Sequence, residues 1–164
     1  MDHALEMRTM STIGQIPETQ HPRRLGPLAL TMVALILVAG CAAGGGTVKV
    51  TLSEWSVQRD KAELPAGSIT FEVTNTGPDD IHEFVVIRTD LAPGSLPTDS
   101  TGKVDEEGGG MVVEGEIEDI AVGASDTLTL DLAAGKYVLI CNIYTEEENE
   151  AHYHEGMRTD FTVN

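Results

Sequence analysis

Within the last strand-and-loop stretch of this 164-residue chain lie Cys141, His152, His154 and Met157. A further histidine, His82, stands far upstream in the apolar segment Ile81-His82-Glu83-Phe84-Val85-Val86-Ile87. Thiolate, imidazole and thioether are the ligand types of electron-transfer copper sites, in which a trigonal His₂Cys set carries a long, weak axial Met. Thiolate and thioether suit Cu(I), and imidazole suits both oxidation states. Each residue also has a plainer reading. A buried free cysteine behaves as a small hydrophobe, a lone histidine is commonly a hydrogen-bonded core residue, and methionine fills irregular gaps. Taken jointly, with every histidine after residue 40 near these segments, the set points to metal binding.

The second cysteine has a different context. Leu28 to Gly40 is an apolar run broken only by Thr31 and preceded by Arg23 and Arg24. Its 13 residues fall short of a membrane-spanning helix and suit the apolar region of a signal peptide. The run ends Leu37-Val38-Ala39-Gly40-Cys41, which resembles a bacterial lipoprotein signal and implies cleavage before Cys41 with acylation of that residue. The basic region is far from Met1, so Met7 or Met10 is an alternative start. On this reading residues 1–40 are the signal peptide, 41–46 a lipidated cysteine with a flexible Gly-rich tether, and 47–164 the folded domain. Cys141 then has no disulfide partner, and a lone thiol in an oxidising compartment calls for another role, such as metal binding.

Charge narrows the partners. Residues 1–40 balance Arg8, Arg23 and Arg24 against Asp2, Glu6 and Glu18, so the net −17 belongs to the remainder. Nucleic acid is excluded as a partner by the want of Lys and Arg clusters. A basic redox protein would be attracted.

The elements that must position the ligands read as strands. Thr47–Leu52 alternates Val48, Val50 and Leu52 against polar neighbours, and Ser68–Asn75 does so with Ile69, Phe71 and Val73. Trp55, Val57 and a Leu64-Pro65-Ala66-Gly67 turn lie between them. Ile81–Thr89 is expected to be a strand buried on both faces, with His82, Phe84 and Val86 on one of them. Asp90–Gly110, rich in Asp, Pro, Gly and Ser, reads as a long excursion, with Met111 as packing beyond it. Val112–Ile120, Asp126–Leu132, Lys136–Asn142 and Thr159–Val163 complete the strands, and no helical period is sustained after residue 40. Short strands at roughly ten-residue spacing indicate an antiparallel sandwich or barrel.

In these features the chain is similar to a cupredoxin (blue copper protein). Asn75-Thr76-Gly77 precedes His82, and Cys141, His152 and Met157 follow in that order before the closing strand. The resemblance covers about residues 47 to 164. It implies an all-β Greek-key sandwich of about seven to eight strands and one type 1 copper ion held by His82, Cys141, His152 and Met157. The four-residue gap between His152 and Met157, with Gly156 before Met157, matches plastocyanin-like members. His154 is too close to Met157 for that spacing and is kept as a rim or alternate ligand. The family also implies that His152 forms a solvent-facing edge and serves as the electron port. One departure is the ten-residue gap between Cys141 and His152, against a few residues in small cupredoxins. That insertion carries Glu146, Glu147, Glu148 and Glu150, which read as a solvated loop or a docking face for a basic redox partner. Glu146, Glu147, Glu148 or Glu155 could alternatively supply an oxygen ligand.

The expected function is therefore one-electron transfer by a lipid-anchored, extracytoplasmic copper protein with no catalytic turnover of its own. Two alternatives remain open: an envelope copper carrier, and a metal-free or zinc-holding interaction sandwich.

Overall fold

A computed structural model describes residues 44–164. The expected signal peptide at 1–40 and the lipidated Cys41 lie outside the described residues. Among the described residues no helix is long and apolar enough to cross a membrane.

The described residues form eleven strands: β1 (Gly45–Ser53), β2 (Ser56–Arg59), β3 (Glu63–Leu64), β4 (Gly67–Asn75), β5 (His82–Thr89), β6 (Met111–Ile120), β7 (Ser125–Leu132), β8 (Gly135–Ile140), β9 (Tyr144–Thr145), β10 (Glu150–Ala151) and β11 (Arg158–Val163). A single helical turn, α1 (His152–Glu155), precedes β11. Eight of the strands have four or more residues, in keeping with the expected number. They make two open sheets, ordered β2-β1-β4-β7 and β3-β11-β8-β5-β6, with β9 and β10 as a separate hairpin. Connections of Greek-key type pass from β4 to β5, back from β6 to β7, and across again to β8.

Strand β1 begins at Gly45, so Gly45 and Gly46 pair with Ser68 and Ile69 of β4 rather than belonging to the tether. Glycine is needed there. Gly45 has φ +94, and a Cβ on it would lie 2.0 Å from the Ser68 carbonyl oxygen.

The two sheets bury one core between them. Val48, Val50 and Leu52 from β1 and Ile69, Phe71 and Val73 from β4 face Phe84, Val86, Tyr137, Leu139 and Phe161. This is the period-2 alternation of the sequence converted into burial. Strand β5 is buried on both faces, because Val85 and Ile87 form a second cluster with Leu96, Val104, Val138, Ile140 and Tyr153. The 90–110 excursion covers that outer face. It is held by hydrogen bonds to the residue after each downstream site residue. The Val104 N–H donates to Asn142 Oδ1 at 2.7 Å, and the Tyr153 hydroxyl donates to the Pro93 carbonyl at 2.7 Å.

The turn before β5 is built on Asn75. Its Oδ1 accepts the Gly77 N–H at 2.7 Å, and its Nδ2 donates to the carbonyls of Asp80 and Ile120, both at 2.8 Å. Gly77, at φ +65, takes the left-handed position of this Asx turn. Three hydrogen bonds to one side-chain amide, two of them buried, thus fix the entry of His82 into its strand. Asn75→Ala is expected to cost about 2–4 kcal/mol, since it strands two carbonyls and one N–H without partners. Urea unfolding of the variant beside the native chain measures it, and an unchanged midpoint would show that the turn holds itself.

Candidate metal centre

The neighbouring strands β5, β8 and β11 end their alignment at one pole of the sandwich. Val85 pairs with Ile140 across β5 and β8, and Arg158 pairs with Ile140 across β11 and β8. Cys141, the residue after β8, therefore lies beside both the start of β5 and the start of β11. Its N–H donates to the Met157 carbonyl at 3.1 Å, and the Glu83 N–H donates to its Sγ at 3.2 Å. The β5–β6 register is irregular between His82 and Phe84, with Asp119 at φ +53 on the opposing strand. A bulge of this kind re-aims side chains at a sheet end.

The insertion between Cys141 and His152 is folded. Thr145 pairs with Glu150 and Tyr144 with Ala151, while Asn149 takes φ +54 in the turn. The His152 N–H donates to the Ile143 carbonyl at 2.9 Å, which closes the insertion and returns the chain to the pole. The single turn of α1 follows, and the Met157 N–H donates back to the His152 carbonyl at 3.0 Å. That bond accounts for the four-residue gap between them. Gly156 sits at φ +129, where a Cβ would meet the Trp55 carbonyl oxygen at 3.2 Å. Arg158 secures the turn, donating to the Tyr153 carbonyl and stacking 5.0 Å from the Tyr153 ring centroid.

Three ligand-type atoms converge there. His82 Nδ1 and His152 Nδ1 are 3.2 Å apart, and Cys141 Sγ lies 3.9 Å from the first and 3.4 Å from the second. The relative exposure of these residues is 0% for His82, 0% for Cys141 and 1% for His152. Metal–ligand lengths of about 2.0 Å to nitrogen and 2.3 Å to sulfur separate trigonal ligand atoms by roughly 3.5–3.7 Å. The buried His82–Cys141–His152 group therefore fits one type 1 copper ion.

Met157 is fully buried in the same core cluster as Cys141. His154 is separate. Its side chain is 74% exposed, and its Nδ1 is 3.7 Å from Glu155 Oε1. Glu146, Glu147, Glu148 and Glu155 are exposed and stand outside the group.

The electrostatics favour a cation. Burial pushes the Cys141 thiol up to about 12, against the Glu83 and Ile143 N–H groups that favour the thiolate. Burial lowers both His82 and His152 below the ordinary imidazole value, outweighing the nearby carboxylates. The imidazoles are thus neutral donors at neutral pH, and the thiol keeps its proton until a positive charge replaces it.

One expectation is corrected. His152 does not present a solvent-facing edge: at 1% exposure it is covered. The Trp55 ring packs edge-on against it with centroids 5.0 Å apart, and Thr145 Oγ1 of the hairpin lies 3.4 Å from its Nε2. Trp55 and Glu54 occupy the β1–β2 turn and were not singled out by the sequence, where nothing local marks them. The turn reaches the pole because the Thr76 N–H donates to the Leu52 carbonyl at 2.9 Å, joining the β1 end to the loop before His82.

No family model matches this chain, and no curated protein matches it in sequence. Solved structures do. Dithionite-reduced auracyanin from the photosynthetic bacterium Roseiflexus castenholzii aligns with a TM-score of 0.50 and 23% identity, over 74% of this chain and 98% of that one. Rusticyanin from Thiobacillus ferrooxidans aligns with a TM-score of 0.50 and 17% identity, over 72% of this chain and 77% of that one. The chain has the cupredoxin fold. Within it the β9–β10 hairpin fills the gap between Cys141 and His152.

The thiol sets how metal affinity depends on pH. Binding must expel the Cys141 proton, while the two histidines have none to lose at neutral pH. Affinity is therefore expected to rise about tenfold per pH unit from roughly pH 7 to 11 and to level off above the thiol's value. Below the ordinary histidine range the rise should be steeper. Competition titrations across pH measure this slope, and a flat profile would remove Cys141 from the ligand set.

Proposed function

We propose that this protein is a type 1 copper electron-transfer protein, held by lipid at the outer face of a bacterial membrane. The observation that carries the proposal is the buried convergence of one sulfur and two ring nitrogens within 3.9 Å of one another. The structural neighbour auracyanin, studied in a dithionite-reduced form, supports redox work for a site on this fold. When bound, copper supplies the one-electron chemistry by alternating between Cu(I) and Cu(II).

Cys141 Sγ, His82 Nδ1 and His152 Nδ1 would hold the ion, and the buried Met157 thioether would be a fourth, weaker donor. The strands do the positioning. Because β5, β8 and β11 fix three of these residues through backbone ladders, the ligands need little rearrangement between oxidation states. The Glu83 N–H shares in the sulfur's charge, and the sandwich core keeps water from it. Electrons pass through Trp55, which is half-buried and touches the His152 ring, since the imidazole itself is covered. Enclosure of all three ligands opposes the rapid ligand exchange a copper carrier needs.

Outside the core, cleavage of the signal peptide leaves an acylated Cys41, which tethers the domain on the extracytoplasmic side. The acidic surface, with the exposed Glu146, Glu147 and Glu148 at the hairpin tip, attracts a basic redox partner and speeds encounter.

Copper loading is expected to give an intense red-end visible band from the Cys141 thiolate, lost together with tight binding in Cys141→Ser. His152→Ala should remove the band and His154→Ala should keep it; the opposite pattern would make His154 the ligand. Trp55→Leu is expected to retain the band while slowing electron uptake from a soluble reductant several-fold, and an unchanged rate would place the route elsewhere. In bacterial cells, Cys41→Ser should move the protein out of the membrane fraction. Retention there would defeat the lipid anchor and leave the copper assignment untouched.

A further inference from the structure

The two nitrogens of His82 meet opposite surroundings. Nδ1 faces Cys141 and His152, whereas Nε2 is buried with no hydrogen-bond partner among the described residues. The group opposite Nε2 is Glu54, whose Oε1 lies 3.6 Å away and whose side chain is only 12% exposed. Oε1 already accepts the Asp80 N–H at 2.9 Å and the Asp79 N–H at 3.3 Å, while Oε2 is buried without a partner among the described residues. An orphaned ring nitrogen and an orphaned carboxylate oxygen thus belong to two facing side chains. Each orphan carries a desolvation cost that a mutual hydrogen bond would remove.

The chemistry of the imidazole says when that bond forms. When Nδ1 gives its lone pair to a metal, the single ring proton must reside on Nε2, as a stronger donor than in the free ring. A carboxylate a few tenths of an ångström beyond hydrogen-bond distance is the acceptor this arrangement uses.

We infer that Glu54 is the positioning residue of the copper centre, accepting the His82 Nε2–H so that Nδ1 is aimed at the metal and Cu(II) is favoured over Cu(I). This inference rests on the copper reading above. The preference follows from charge: a carboxylate hydrogen-bonded to a ligand stabilises the more positive ion more strongly. The Asp80 and Asp79 N–H groups that donate to Oε1 favour the ionised carboxylate over the acid. The β1–β2 turn then touches both histidines, with Glu54 behind His82 and Trp55 against His152.

The test compares full-length native chain, Glu54→Gln and Glu54→Ala by Cu(II) and Cu(I) competition titrations, redox titration of the visible band, and thermal unfolding. Glu54→Gln keeps one oxygen acceptor for the Asp79 and Asp80 N–H groups while removing the charge and replacing the other oxygen by an amide NH2. It is expected to weaken Cu(II) binding about tenfold or more and Cu(I) binding less. Each tenfold difference between the two raises the potential by about 59 mV. Glu54→Ala should change both in the same direction and further. Equal loss of Cu(I) and Cu(II) affinity, or no loss, overturns the inference. If the variants do not fold, nitrogen-15 spectra of the zinc-loaded native chain decide: a His82 Nε2–H in slow exchange with solvent supports the contact, and one in fast exchange overturns it. A native chain that gives no copper band defeats the copper reading, and this inference with it. A native band with unaffected variants defeats this inference alone.

Discussion

Burial of a single thiol is the constraint from which the rest of this molecule follows. Cys141 is wholly enclosed, and its proton is held up to about 12. A buried anion without a partner is too costly to form, so the sulfur becomes a thiolate only when a cation arrives beside it. The two histidines nearest that sulfur are kept neutral by the same burial and therefore have lone pairs to give. Enclosure makes the thiol inert towards most chemistry while leaving it selective for a metal that can displace its proton.

The fold supplies the enclosure through layers on both sides of one sheet. The sandwich core covers the face bearing His82, Phe84 and Cys141, and the 90–110 excursion covers the face bearing Val85, Ile87 and Tyr153. The excursion is bound at Asn142 and Tyr153, the residues directly after Cys141 and His152. The outer layer thereby fixes the backbone that carries the inner ligands. The pole is closed from the remaining directions by the β1–β2 turn and the β9–β10 hairpin. Their position leaves the His152 imidazole enclosed rather than open to solvent.

Some of this could be read directly from the chain. The alternation in β1 and β4 gave the inward faces, because a pleated strand converts period two into burial. The apolar run Phe84-Val85-Val86-Ile87 indicated burial on both faces, although what covers the outer one was hidden in a stretch of Asp, Gly and Pro. The Glu-rich insertion read as solvated, and its charges are exposed. Its two-residue strands escaped notice because pairs that short have no periodicity to detect. Glu54 and Trp55 carried no local signal, since their importance comes only from what their turn packs against.

The sequence by itself determined the chemical repertoire: which donor atoms exist, that the lone thiol has no disulfide partner if Cys41 is lipidated, and that strands flank the candidate ligands. Those properties reside in residue type and in the period of neighbouring side chains, both local to the chain. Only the tertiary structure decided which histidine joins His82, that His152 is enclosed, and that a carboxylate 28 positions upstream stands behind the His82 ring. Those outcomes depend on the registers of β5, β8 and β11 and on the packing of two turns over one pole. Such distances between remote residues are set by the whole fold's closure and leave no trace in any short stretch.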